Sequence, residues 1–203
     1  IAMASLSGAN LEPPSQNRNL LARFDNTQVV STHQYGHTLL AVDKQLNRSV
    51  IVKHESGRPE MSWAIREYRT LSLPSVANNK HVATASSGDA DGHSSFVSIE
   101  VIEAPTLASM IDTGILQDPQ KALTVTAQLL EALKSLHPNV AEILKLLSSA
   151  NGTLSEDTQT KIGQLRDSGI AHNHLDPSNI FIHPSRGVIL IDLVRAARFS
   201  EII

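Results

Sequence analysis

Two polar residues near the end of the chain stand where short apolar runs begin and end. Asn179 directly precedes the run 180–182, and Asp192 directly follows the run 188–191. Residues 185–187 favour a turn, so the pattern predicts a β-hairpin that brings Asn179 and Asp192 together. Amide and carboxylate oxygens are hard ligands of the kind that Mg²⁺ prefers. The hairpin therefore brings two side chains with hard oxygen atoms to one place.

The first half of the chain has the pattern of a β-rich unit with one helix. Strand-like runs occupy 27–30, 38–42 and 49–52, and a polar hairpin turn lies at 43–48. Apolar residues then recur at helical spacing and predict a helix that ends before Pro74: Met61, Ala64, Ile65, Tyr68 and Leu71. Two more strands are predicted at 81–85 and 95–102. Segment 86–94 is rich in Ser, Gly, Asp and His, which predicts a turn.

The second half has helical spacing from about residue 104, and the change of composition at 103–106 predicts a boundary. Leu129, Leu133 and Leu136 lie on one stripe of a helix at 122–136, and Leu130 widens that stripe. A shorter helix is predicted at 140–147. Ser155 and the acids after it are typical of a helix N-terminus, so a third helix is predicted at 155–166. Strands, helices and a late hairpin in this order predict an α+β fold.

Composition excludes several classes of protein. The chain has 203 residues, of which 41% are apolar and 18% charged, and its net charge is −3. That balance, together with 3% aromatic residues, argues against a nucleic-acid partner. The absence of cysteine excludes disulfides and thiolate chemistry and fits a reducing compartment. No apolar run approaches the roughly 18 residues that a membrane span requires.

Segment 169–180 reads G-I-A-H-N-H-L-D-P-S-N-I and resembles the catalytic loop of protein kinases, H-R-D-L-K-P-x-N. The register of the resemblance is set by four residues: His172, Leu175, Pro177 and Asn179. Asp192 then stands where the family has the aspartate of its D-F-G motif. The resemblance implies that Asn179 and Asp192 hold Mg²⁺ and that His172 braces the loop.

Earlier segments are similar to the nucleotide-binding parts of the same family. The resemblance assigns nucleotide contacts to six residues: Tyr35, Gly36, Lys53, Glu67, Glu100 and Ile102. Lys53 ends V-I-V-K, like the family's phosphate-binding V-A-I-K, and Glu67 stands where the family's partner glutamate lies on the next helix. Gly36, with Tyr35 before it, matches the last glycine of the phosphate-covering loop. Glu100 and Ile102 belong to the segment that would face an adenine ring.

The chain departs from the family pattern where chemistry would occur. His174 replaces the catalytic aspartate, and Asp176 replaces the lysine that contacts the γ-phosphate. Segment 31–36, S-T-H-Q-Y-G, keeps one of three glycines, and Val194 replaces the glycine of D-F-G. A carboxylate facing the γ-phosphate exchanges attraction for repulsion, so we expect slow phosphoryl transfer unless Asp176 or His174 serves as the base.

The family helix before the catalytic loop has two candidates in this chain. Leu136-His137 and Leu165-Arg166 both match its end, and about 28 residues separate them. We favour the helix at 155–166, because Gly169 then falls in register. The helices between 119 and 147 are hypothesised to pack beneath it, with Leu129, Leu133 and Leu136 turned away from solvent.

The resemblance implies a two-lobed protein-kinase-like fold. Residues 1–19 would form a polar lead-in that could include part of a tag, 20–103 a β-rich N-lobe, and 104–203 a reduced helical C-lobe that ends just after the D-F-G-like segment. Its implied cofactors are ATP and Mg²⁺. Its implied partner is a protein, as docking partner or substrate, in the cytoplasm or in a host cytosol.

Three hypotheses of function follow from the resemblance and its departures. The first is a nucleotide-binding pseudokinase-type regulatory or docking module with a degenerate catalytic loop. The second is an active minimal Ser/Thr kinase, such as a bacterial effector, that uses Asp176 or His174 as base. The third is a scaffold that binds no nucleotide.

Overall fold

A five-stranded antiparallel sheet forms the first part of the molecule. The computed structural model describes residues 18–57, 62–149 and 152–201; residues 1–17 of the lead-in, Met61, and the chain end after 201 lie outside that range. A short helix, α1 (Arg18–Leu21), precedes the sheet. The sheet order is β1-β2-β3-β5-β4, and its strands are β1 (Phe24–His33), β2 (Gly36–Asp43), β3 (Arg48–Ser56), β4 (Ala85–Ala90) and β5 (Ser94–Glu100).

Side chains of β3 alternate between the two faces of the sheet, because successive residues of a strand point in opposite directions. Val50 and Val52 are buried on one face, in a cluster with Phe24 and Phe96. The rings of these two phenylalanines meet edge to face at 5.3 Å. Lys53 therefore points to the opposite face, where the helix that follows β3 packs.

Helices make up most of the rest of the chain. Their bounds are α2 (Trp63–Leu71), α3 (Pro74–Ala77), α4 (Leu107–Asp112), α5 (Pro119–Leu136), α6 (Val140–Ser148) and α7 (Glu156–Asp167). Ser155 caps α7 by accepting a hydrogen bond from the Thr158 N–H, as the sequence indicated. None of the helices in the described part of the chain has the length and apolar character that a membrane span requires.

The predicted late hairpin is confirmed. It consists of β7 (Ile180–His183) and β8 (Gly187–Leu190), and a short pair of strands, β6 (Ile170–Ala171) and β9 (Ala197–Arg198), lies beside it. The main core joins α2, β5, α5 and this hairpin, and includes Val97, Leu136, Phe181 and Leu190. An antiparallel sheet followed by a helical part confirms the α+β class.

The fourth strand was predicted in the wrong place. Residues 81–84 do not form a strand; Val82 makes an isolated bridge to Leu190, and β4 occupies Ala85–Ala90 instead. Segment 86–94 was predicted to form a turn because Ser, Gly and Asp are poor strand formers. Pairing with β5 outweighs that preference, and an edge strand tolerates it because only one side is paired.

The long helix α5 turns its predicted stripe inward, with one exception. Leu136 is buried, and Leu129 and Leu133 pack against the main core. Leu130, which was predicted to widen the stripe, is 62% exposed. The condition set for the packing hypothesis, that Leu129, Leu133 and Leu136 avoid solvent, is met.

The two candidate ends of the family helix, Leu136-His137 and Leu165-Arg166, lie on either side of a segment that contains α6 and most of α7. A side chain on Gly169 would meet Pro138 Cδ at 2.3 Å, so the chain leaves at Pro138 and returns to the same place at Gly169. Helices α6 and α7 lie between these points and pair with each other, partly through the Lys161–Glu142 ion pair of 2.9 Å. Neither helix has a fully buried residue.

Tyr68 of α2 lies flat against the backbone of Gly88 in β4. A Cβ added at Gly88 would come within 2.4 Å of the ring. We therefore expect Gly88→Ala to lower the free energy of unfolding by about 1–3 kcal/mol, because the ring has to move out of a packed position. Urea denaturation measures this. Gly92→Ala is the control, since its Cβ would meet nothing within 4 Å, and an equal loss in both variants would refute the packing argument.

Candidate functional site

Lys53, Glu67 and Asp192 form a compact ionic cluster between the sheet and the hairpin. Lys53 Nζ donates hydrogen bonds to Glu67 Oε2 at 2.6 Å and to Asp192 Oδ1 at 2.7 Å. Glu67 is fully buried, whereas the side chains of Lys53 and Asp192 are each 21% exposed. The cluster therefore joins residues from β3, α2 and the end of β8, and one side of it faces solvent.

The start of α2 fixes Glu67 opposite Lys53. Ser62 caps the helix by accepting from the Ile65 N–H, and its hydroxyl donates to Glu55 of β3 at 2.9 Å. Glu55 also accepts from the Ala64 N–H at 3.3 Å. A carboxylate at a helix N-terminus is favoured by the helix dipole. The strand that carries Lys53 thus holds the helix that carries Glu67.

The backbone at Asp192 has a left-handed conformation that aims its carboxylate at Lys53. Its φ is 64° and its ψ 51°, a region that non-glycine residues adopt rarely and often at functional sites. The preceding residue is held from two sides: the Ile191 N–H donates to Asn179 O, and His172 Nε2 donates to Ile191 O at 2.9 Å. His172 thus braces the strand end before Asp192.

Charge and burial shift the pKa values of these groups in different directions. Burial raises the pKa of the Glu67 carboxyl, and Lys53 only partly offsets that effect. Burial also acts to raise the pKa of Asp192, but the nearby Lys53 ammonium outweighs it, and the pKa is lowered. For Lys53, burial is outweighed by Glu67 and Asp192, so its pKa is raised. Lys53 and Asp192 are therefore charged at neutral pH.

His174 makes a hydrogen bond with the second carboxylate oxygen of Asp192, Oδ2. Its Nδ1 lies 2.7 Å from Asp192 Oδ2, and its side chain is 36% exposed. A carboxylate with a lowered pKa only accepts hydrogen bonds, so Nδ1 carries the hydrogen and donates it. Asn179 Nδ2 donates to His174 O at 3.2 Å; its 3.4 Å approach to Nδ1 brings two donors together and is no hydrogen bond.

Both residues expected to bind Mg²⁺, Asn179 and Asp192, already make hydrogen bonds within the protein. Mg²⁺ requires oxygen ligands at about 2.0–2.1 Å in near-octahedral geometry. Each oxygen of Asp192 already receives a hydrogen bond from the protein, and the Asn179 amide nitrogen faces the loop. Within the described ranges, no group of three or more His, Asp or Glu side chains is placed to hold a metal ion.

Asp176 and the pair Tyr35–Gly36 have structural roles in this arrangement. Asp176 Oδ1 accepts from the Ser178 N–H and hydroxyl, which lowers the pKa of Asp176 and caps the short turn Pro177–Asn179. Tyr35 lies in the tight β1–β2 turn and is 53% exposed. A Cβ on Gly36 would overlap His54 O at 1.9 Å, so glycine is required there by strand packing.

Glu100 and Ile102 flank the exit from the sheet. The Glu100 carboxylate makes a bidentate contact of 2.9 and 3.0 Å with Arg186 Nη1 and accepts from the Thr84 N–H at 2.8 Å. The side chain thus ties β5 to the β7–β8 turn. None of the described residues makes a hydrogen bond with the Ile102 N–H, the group that the resemblance to kinases implies would face an adenine ring.

Sequence reasoning missed Arg186. It was assigned only to a turn, but its guanidinium also donates to the carbonyl oxygens of Lys80 and Val82. These acceptors, in segment 80–82 and at the end of β5, match the fixed fork of an arginine side chain. A single arginine in a hairpin turn carries no sequence signal for such partners, because the contacts join residues that are about 100 positions apart.

No protein-family model matches this chain, and no curated protein matches it either.

Proposed function

We propose that the chain is a kinase-fold nucleotide-binding domain with a degenerate catalytic loop, which acts as a pseudokinase-type regulatory or docking module. In this proposal the sheet and α2 are the N-lobe, the helices and hairpin are a reduced C-lobe, and ATP lies between them. The observation that carries the proposal is the Lys53 cluster, because Lys53 Nζ is bound by Glu67 and Asp192 on the side that the resemblance requires.

The cluster suits a phosphate ligand better than a purely structural role. An ammonium has three N–H donors, and Glu67 and Asp192 take two of them. The third is open to a phosphate oxygen, and Lys53 is partly exposed on the side of Asp192. The free Ile102 N–H adds a donor at the place proposed for the base.

Nucleotide binding is tested by displacement of a fluorescent ATP analogue. We expect wild-type protein to bind, and we expect Lys53→Met to weaken binding by at least about tenfold, because the cation that contacts the phosphates is lost. Lys80→Met is the matched control, since the Lys80 side chain is 64% exposed and its ammonium makes a 3.5 Å surface ion pair with Glu131. Absence of binding in wild-type protein at millimolar nucleotide would support the scaffold hypothesis instead.

An active kinase is a second candidate, because His174 is oriented as a base would be. With Nδ1 donating to Asp192, a neutral His174 has its lone pair on Nε2, which is free to accept a proton. Asp176 is committed to capping a turn, which leaves it a weaker candidate. Incubation with labelled ATP decides between the candidates. Incorporation that is lost in His174→Ala and kept in Asp176→Ala would establish transfer with His174 as base.

A further inference from the structure

Both oxygens of Asp192 are already bound by donors of the protein. Lys53 Nζ donates to Oδ1 and His174 Nδ1 donates to Oδ2, each at 2.7 Å. These contacts come from opposite sides of the site, since Lys53 belongs to the sheet and His174 to the loop before the hairpin. Each oxygen of the carboxylate therefore has a hydrogen-bond donor of the protein without any added ion.

Hydrogen bonding at both oxygens of Asp192 depends on the histidine at position 174. In the protein-kinase pattern an aspartate would stand at position 174, and a second carboxylate cannot donate to Asp192. Two ionised carboxylates at that distance would repel each other unless a cation or a shared proton lay between them. His174 instead supplies an N–H to the same oxygen, so the substitution replaces an electrostatic conflict by a hydrogen bond.

A divalent ion at Oδ2 would meet unfavourable neighbours. It would lie beside the N–H of His174 and near the amide nitrogen of Asn179, which is 3.4 Å from His174 Nδ1. Hydrogen-bond donors carry partial positive charge toward their acceptor, so they disfavour a cation at the same oxygen. To take the place of this hydrogen bond at Oδ2, Mg²⁺ has to displace the His174 N–H from Asp192.

We infer that His174 takes the place of the divalent cation at Asp192, so that this chain binds adenine nucleotides without Mg²⁺. The inference rests on the proposed function and specifies the ligand as the free nucleotide. Lys53 is the protein cation left to meet the phosphates in this cluster. ADP, which carries less negative charge than ATP, is therefore the more suitable probe.

The experiment measures the affinity of a fluorescent ADP analogue in excess EDTA and in excess MgCl₂. For wild-type protein the two dissociation constants are expected to agree within about threefold. Two variants with side chains of nearly equal size, His174→Asn and His174→Asp, differ in whether residue 174 can donate a hydrogen bond to Asp192. His174→Asn keeps an N–H₂ that can donate to Asp192 and is expected to stay independent of the metal. His174→Asp has no donor and is expected to bind at least about tenfold more tightly with Mg²⁺ than in EDTA.

Each outcome decides a different point. Wild-type binding that strengthens tenfold with Mg²⁺ would overturn this inference and leave the proposed function standing. Equal metal independence in His174→Asp would also overturn it, because His174 would then not be the cause. Absence of nucleotide binding in both solutions would overturn the proposed function and the inference together. Thermal unfolding of wild-type protein with ADP in EDTA gives a second readout that requires no variant.

Discussion

Replacement of Lys53 by methionine is expected to lower the free energy of unfolding by about 3 kcal/mol at pH 7. The substitution leaves two carboxylates, Glu67 and Asp192, without the cation that each contacts within 2.7 Å. Glu67 is the main source of the loss, because its side chain is only 1% exposed. Burial of an unpaired charge costs several kcal/mol unless the group takes up a proton. Urea denaturation measures this loss, provided that the variant and wild-type protein have the same m-value.

The loss is expected to depend on pH in a defined direction. Without Lys53, burial holds the pKa of Glu67 in the folded state further above its ordinary value of 4.5. The folded state then binds a proton more readily than the unfolded state, so stability falls as the pH rises above that ordinary value. Below it Glu67 is protonated in both states, and its part of the penalty vanishes. The deficit of Lys53→Met should therefore shrink on acidification.

A double variant separates the charge effect from the lost packing of the lysine side chain. Lys53→Met with Glu67→Gln removes the cation and the buried carboxylate together, and glutamine has nearly the same shape as glutamate. We expect it to recover most of the stability lost in Lys53→Met, with a coupling energy of about 1–3 kcal/mol. If Lys53→Met alone lowers the free energy of unfolding by less than about 0.5 kcal/mol, the ionic cluster contributes little to folding.

The parts of the site that could be predicted from the sequence are those in which the pattern of nearby residues determines where a side chain points. Alternation along β3 determines the face of Lys53, whereas Glu67 was placed opposite it only by the resemblance to the kinase pattern. The two short apolar runs and the turn between them also suffice to predict the hairpin that carries Asp192. For Lys53 and Asp192 the residues that decide the geometry lie within about ten positions of the side chain.

The parts that could not be predicted depend on contacts between distant segments. The contact of His174 with Asp192 depends on one side-chain rotamer in a loop and a left-handed backbone at residue 192. Strand β4 has the composition of a turn, and only pairing with β5 makes it a strand. Gly36 shows a further limit, because a glycine required by strand packing has the same sequence appearance as one that approaches a phosphate.

The two kinds of observation together change the expected role of His174. From the sequence alone it is a catalytic position in which the aspartate has been lost. In the structure it is half-exposed, donates to Asp192 and stands over Asn179, so it contacts both residues that the sequence predicted as metal ligands. The same substitution therefore underlies both the slow transfer that the resemblance leads us to expect and the metal-independent binding that we propose.

Leu136→Ala is expected to lower the free energy of unfolding by about 2–5 kcal/mol. Leu136 is 3% exposed and belongs to the core cluster that also contains Phe181 and Val188 of the hairpin. Truncation removes apolar contacts and leaves a cavity that rigid neighbours fill only in part. The hairpin is the support of Asp192, so the variant should also weaken nucleotide binding if the site depends on that support.

Leu130→Ala on the same helix is the matched control for this experiment. Leu130 has the same side chain and the same helical environment but is 62% exposed, and its truncation is expected to change stability by no more than about 0.5 kcal/mol. Denaturation curves of both variants therefore test which face of α5 is buried. Equal losses would mean that the stripe is oriented differently and that α5 does not support the hairpin through Leu136.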